Sequence, residues 1–148
     1  MHALTGRLCL IAGGCASLAL ATLHLLVIAI GAPAYLYFGR ADLAEAASRG
    51  SLSPALATLV IATTLTAWSL YAFSGAGLVR RLPLLRTGLV TIASVYTLRG
   101  LLFILDTNRW FAGEHLPLRH TLFSAAALAI GVCHAIGTRA LFRKEGAV

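Results

Sequence analysis

Residues 8–30 read LCLIAGGCASLALATLHLLVIAI, a run without one charged side chain. About 20 apolar residues in helical form cross a hydrocarbon core roughly 30 Å thick, so the stretch has the length and character of a spanning helix. Arg7 precedes it, and Gly31 and Pro33, residue types that end helices, close it. A base ahead of an apolar run also opens a secretory signal. The run here is longer than the about 7–15 residues of a signal core, which favours an uncleaved span.

The same pattern repeats outward along the chain. No charge falls between Gly50 and Val79, and none between His120 and Thr138. With 59% apolar residues, 11% charged residues and a mean hydropathy of +0.85, the composition excludes an ordinary soluble domain. A second span over 54–73 starts with Ser53 as N-cap and Pro54 at the first helical position, and Ser74-Gly75-Ala76-Gly77 loosens its end. A third covers 83–105 and is interrupted by Arg99, and a fourth covers 120–141. The expected fold is all-α: a polytopic integral membrane protein of four transmembrane helices in a bundle, one domain over 1–148.

Charge sets the orientation. Arg7, Arg80, Arg81, Arg86, Arg139, Arg143 and Lys144 fall on the side of the N-terminus, with the single acid Glu145. Arg40, Arg49, Arg109 and Arg119 on the other side are balanced by Asp42, Glu45, Asp106 and Glu114. Positive loops resist translocation, so both termini are expected in the cytoplasm. Arg used in place of Lys, among abundant Ala, Leu and Gly, points to a bacterium with a GC-rich genome and hence to a multi-pass protein of the bacterial inner membrane. The net charge of +7 is accounted for by these flanks, and with no basic face or nucleic-acid fold signature no nucleic-acid partner is expected.

Asp42-Leu43-Ala44-Glu45 has capping-box spacing, which predicts a short amphipathic helix from Asp42 to Arg49 in the first periplasmic loop, stopped by Gly50. Tyr35, Tyr37, Phe38, Trp110 and Phe111 are read as anchors in the outer interfacial belt.

Several phrases form a set: Gly50-Ser51 leading to Pro54, Trp68 to Gly77, Arg81-Leu82-Pro83-Leu84-Leu85-Arg86, Val95-Tyr96-Thr97-Leu98-Arg99-Gly100, and His134-Ala135-Ile136-Gly137-Thr138. Together they resemble a functionally uncharacterised group of small four-helix bacterial inner-membrane proteins. The resemblance covers most of the chain and implies the helix count. It implies no activity, ligand or catalytic residue.

Helices in lipid associate through small residues and bridging polar side chains. His120, Ser124, Ala127, Gly131, His134 and Thr138 follow at alternating steps of four and three and share one face of the fourth span. Gly13, Ser17, Leu20 and His24 make a shorter seam on the first, and Thr58, Ala62, Thr66 and Ser69 another on the second. Arg99 is the anomaly, because an ionisable group at depth is costly unless paired or wet. Seven residues from the end of its span, it is expected about 10 Å below the periplasmic surface, at the depth of His24. One reading has Arg99 snorkel outward and pair with Asp106, two turns along. The other places Arg99, His24, Tyr96, His120 and Asp106 around a periplasm-facing ligand site, with donors for an anionic or polar group such as a lipid phosphate, a quinone carbonyl or a haem propionate.

No Cys-x-x-Cys-His is present, and Cys9, Cys15 and Cys133 lack metal-binding spacing, so no metal or resident cofactor is expected. No paired carboxylates, nucleophile motif or phosphate-cradling loop appears, and no catalytic residue is assigned. The expected role is a non-enzymatic binding or accessory membrane component. It lies in the lipid bilayer, with a bound lipid or quinone and self-association through its small-residue faces as expected partners. The alternative is a membrane enzyme or redox subunit using the Arg99 and His24 level for quinone, haem or lipid.

Overall fold

The computed structural model describes residues 2–112 and 118–145, and every regular element among them is helical. In chain order these are α1 (His2–Ile30), α2 (Ala32–Tyr37), α3 (Ala41–Ser48), α4 (Ser53–Gly75), α5 (Leu85–Phe111) and α6 (Leu118–Glu145). Four of them, α1, α4, α5 and α6, are long and apolar enough to cross a membrane. Glu114, which entered the charge balance, and the tail 146–148 lie outside the described residues. Contacts gather into two compact units, one of Met1–Cys15 with Leu70–Val148, the other of Ala16–Ser69.

In the Ala16–Ser69 unit, Gly31 does end α1, in the left-handed region at φ 79°. Pro33 does not stop the chain there. It occupies the first turn of α2, where its missing N–H costs nothing. Tyr35, read as an interfacial anchor, is instead buried with Val27, Ala34 and Ala44. Its hydroxyl lies 3.0 Å from Thr58 Oγ1, which gives its own proton to Pro54 O at 2.8 Å, so Tyr35 donates. Tyr37 stays exposed.

The loop helix exists, but Asp42 does not cap it. α3 begins at Ala41 after Arg40, whose side chain makes no cap bond, and Asp42, inside the first turn, accepts from Arg40 Nε at 3.0 Å and Nη2 at 2.8 Å as well as from the Leu43 amide. The guanidinium is the stronger hold on the carboxylate. α4 begins at Ser53 itself, whose amide donates to Ser51 Oγ at 3.3 Å.

In the larger unit, α5 and α6 run antiparallel in close contact. Gly100 meets the backbone of Leu128, and a Cβ on Gly131 would lie 2.7 Å from the amide nitrogen of Thr97. The first half of α1 is also antiparallel to α6: Gly6 meets Ala140, Gly137 meets Leu10, and Gly13 meets His134. Absent side chains allow backbones this near each other. Leu10, Ala76, Leu85 and Leu89 form a buried apolar cluster.

The α4–α5 connection is tied down by polar side chains. Ser74 Oγ donates to Arg80 O at 3.0 Å and accepts from the Leu82 amide at 2.9 Å. Tyr71 donates to Pro83 O at 3.2 Å, and Arg7 Nε to Ala76 O at 3.0 Å. α5 starts at Leu85 rather than Pro83, because Leu84 is left-handed at φ 51°. It continues to Phe111, beyond the expected end at Leu105, carrying Asp106 and Trp110 on helix.

Candidate functional site between the last two long helices

The polar stripe read on α6 is its buried face. Ser124, Ala127, Gly131, His134 and Thr138 are all buried, and His120 is half-buried. Across from it, α5 presents Tyr96, Arg99 and, two turns on, Asp106. Seven helical residues amount to about 10 Å of rise, a long gap for a direct ion pair. Ser124 closes it from α6.

Arg99 Nη1 donates to Ser124 Oγ at 3.0 Å, and Ser124 Oγ donates to Asp106 Oδ2 at 2.9 Å. One hydroxyl thus accepts from a guanidinium and donates to a carboxylate, using both of its hydrogen-bonding roles on charges of opposite sign. Ser124 is 1% exposed, Asp106 is half-buried, and Arg99 is exposed. Arg99 and Asp106 are therefore partners, joined through Ser124 rather than by direct contact.

One turn away lies a second polar contact. Tyr96 stacks on His134 with ring centroids 5.6 Å apart and planes inclined by 23°. His134 is wholly buried. Its Nδ1 lies 2.9 Å from Ile130 O, and a carbonyl only accepts, so Nδ1 carries the proton. Nε2 is buried without a hydrogen-bond partner among the described residues. Gly13 fits over the ring edge, where a Cβ would fall 2.6 Å from Cε1.

Of the five residues read as a ligand site, the structure links Arg99 and Asp106 and turns Tyr96 to His134. His120 sits on the first turn of α6 and makes no hydrogen bond among the described residues. His24 belongs to the Ala16–Ser69 unit, where Nδ1 donates to Leu20 O at 2.7 Å. Two residues complete the site that the ligand reading left out: Ser124, the bridge, and His134, the stacking partner. Both belonged to the stripe of α6, and the step of four and three was the signal that marked them.

No three of His, Cys, Asp and Glu cluster as metal ligands among the described residues. Cys133 lies beside the thiol of Cys9, while Cys15 is exposed. The arrangement can bind and bridge charge. It offers no carboxylate pair and no base aimed at a nucleophile. Comparison with known proteins finds no matching family model, no matching characterised protein and no matching solved structure.

Proposed function

We propose that this chain is a multi-pass protein of the bacterial inner membrane, four helices threading the bilayer as one bundle with both termini cytoplasmic, and that it serves as a non-enzymatic binding or accessory component. The observation that carries this reading is the closed relay on α5 and α6. Arg99 and Asp106, the charges most costly in lipid, are engaged with each other through Ser124 instead of being held for a reaction.

Two further observations support the threading. α1 and α5 both run antiparallel to α6, as alternate crossing requires. Arg7 against Ala76, Gly6 against Ala140 and Arg86 against Phe142 bring Arg7, Arg86, Arg139 and Arg143 to one end of the larger unit, in keeping with the positive-inside bias.

One feature favours the second reading, a membrane enzyme or redox subunit with a periplasm-facing site for quinone, haem or lipid. Arg99 spends a single N–H group on Ser124 and keeps the rest of an exposed guanidinium for another acceptor.

A double-mutant cycle separates the two. If Arg99→Leu and Asp106→Asn each lower thermal stability and the double variant is no worse than either, the residues act as one structural unit. Additive effects, with loss of co-purified quinone, haem or phospholipid in Arg99→Leu alone, favour the ligand site. Orientation is tested by an epitope after Val148, expected to be reachable only in permeabilised cells.

A further inference from the structure

A groove of about 520 Å³, within the size range of small-ligand sites, runs between the first turns of α5 and the last turns of α6. Three guanidinium groups line it: Arg86 from α5, Arg139 and Arg143 from α6. Arg86 is held over the Phe142 ring, 5.6 Å from its centroid. Arg139 and Arg143 have no ion pair or hydrogen bond among the described residues.

Thr138 also borders the groove, but its Oγ1 is buried beneath the surface and is not offered to a ligand there.

Beside Ser94, the remaining wall is the hydrocarbon of Val90, Ala93 and Ala135. A free phosphate matches the guanidinium groups and leaves this wall uncovered. An anionic head carrying an acyl chain matches both parts. We propose that the groove binds an acidic phospholipid, its phosphate among Arg86, Arg139 and Arg143 and its upper chain along Val90, Ala93 and Ala135. Basic pockets between spanning helices on the cytoplasmic side have this chemistry. The site rests on the membrane reading above, but its basic end at Arg86 lies about 20 Å along α5 from Arg99, and it uses none of the relay.

The test uses the full chain in neutral detergent, incubated with dioleoylphosphatidylglycerol or dioleoylphosphatidylcholine, with retained lipid counted by native mass spectrometry. Phosphatidylglycerol is expected to be retained over phosphatidylcholine by about tenfold, the equivalent of one good charge-assisted contact. The Arg139→Gln/Arg143→Gln variant should lose that preference. Equal retention of the two lipids overturns the site, as does a preference that survives Arg139→Gln/Arg143→Gln. Displacement by millimolar inorganic phosphate as effective as by excess phosphatidylglycerol overturns the lipid assignment. Failure of the Arg99 cycle leaves every arm of this assay unchanged.

Discussion

The imidazole of His134 packs between two helices: Tyr96 of α5 stacks on its face, and Gly13 of α1 touches its edge. The ring is wholly buried, so a methyl group at position 13 has nowhere to go unless the ring or the backbone of α1 moves. Gly13→Ala should therefore destabilise the protein by about 1–3 kcal/mol, the usual cost of overpacking. His134→Ala on its own leaves a cavity, yet in the Gly13→Ala background it makes room for the new methyl. The double variant should be less destabilised than the sum of the two singles, read as thermal unfolding in detergent. Strict additivity would show that the ring is not the obstacle.

Ser124 holds opposite charges on its two sides, and alanine fills almost the same space without either hydrogen bond. Ser124→Ala should cost about 1–3 kcal/mol, because Asp106 then loses its donor in a half-buried position. Ser124→Thr keeps the hydroxyl and should retain most of the stability. If alanine and threonine behave alike in a thermal melt, the relay contributes nothing to folding.

What the sequence allows to be read here depends on the range of the interaction. The stripe on α6 is a matter of helical period, and Ser124, Gly131, His134 and Thr138 do lie on its buried face. The seams read on α1 and α4 are mostly buried as well, with Thr66 exposed. The bridge from Arg99 to Ser124 joins residues 25 apart and depends on the register of α5 against α6, set by Gly100 and Gly131, which no local pattern reveals. Ending the third span at Leu105 confused the edge of hydrophobicity with the edge of the helix. Backbone bonding continues through Asp106 and Thr107 to Phe111, where the chain is polar but still helical. Tyr35 illustrates the converse, an amphipathic side chain whose hydroxyl found Thr58 rather than an interface.

Acid should loosen the entry to α3. Arg40, by hydrogen bonding first, holds the Asp42 carboxyl below its ordinary value of 3.8. A carboxyl whose folded pKa is depressed contributes fully above its unfolded value, and the contribution disappears as pH falls through the lowered folded one. The amides of residues 40–44 should thus keep their NMR shifts from neutral pH to about 4 and move together below it. Asp42→Asn should show no such transition. Both side chains are more than half exposed, so added salt should weaken the effect.

Leu84 is the one non-glycine residue at positive φ among the described residues, and it is 78% exposed. Its left-handed backbone places Cβ too near the following carbonyl, at about 1–2 kcal/mol. Asn adopts this conformation more readily and leaves the Tyr71 bond to Pro83 O intact. Leu84→Asn should therefore raise thermal stability by about 0.5–1 kcal/mol. A fall instead would mean that the Leu84 side chain contributes more through its surroundings than its backbone costs.

Gly100 and Gly131 both bring α5 and α6 together, but what each faces differs. A Cβ on Gly131 would meet the Thr97 hydroxyl and amide nitrogen, each at 2.7 Å; the hydroxyl can rotate away, which leaves one backbone atom that close. At Gly100 the Cα and amide nitrogen of Leu128 both lie nearer still, and they move only if the helix moves. Gly100→Ala should therefore be the more damaging, at the upper end of the about 1–3 kcal/mol range for overpacking. Because that shift separates α5 from α6, it should also pull Ser124 from Arg99. Ser124→Ala added to Gly100→Ala is then expected to cost less than Ser124→Ala alone, and an undiminished cost would mean that the two helices slide without opening.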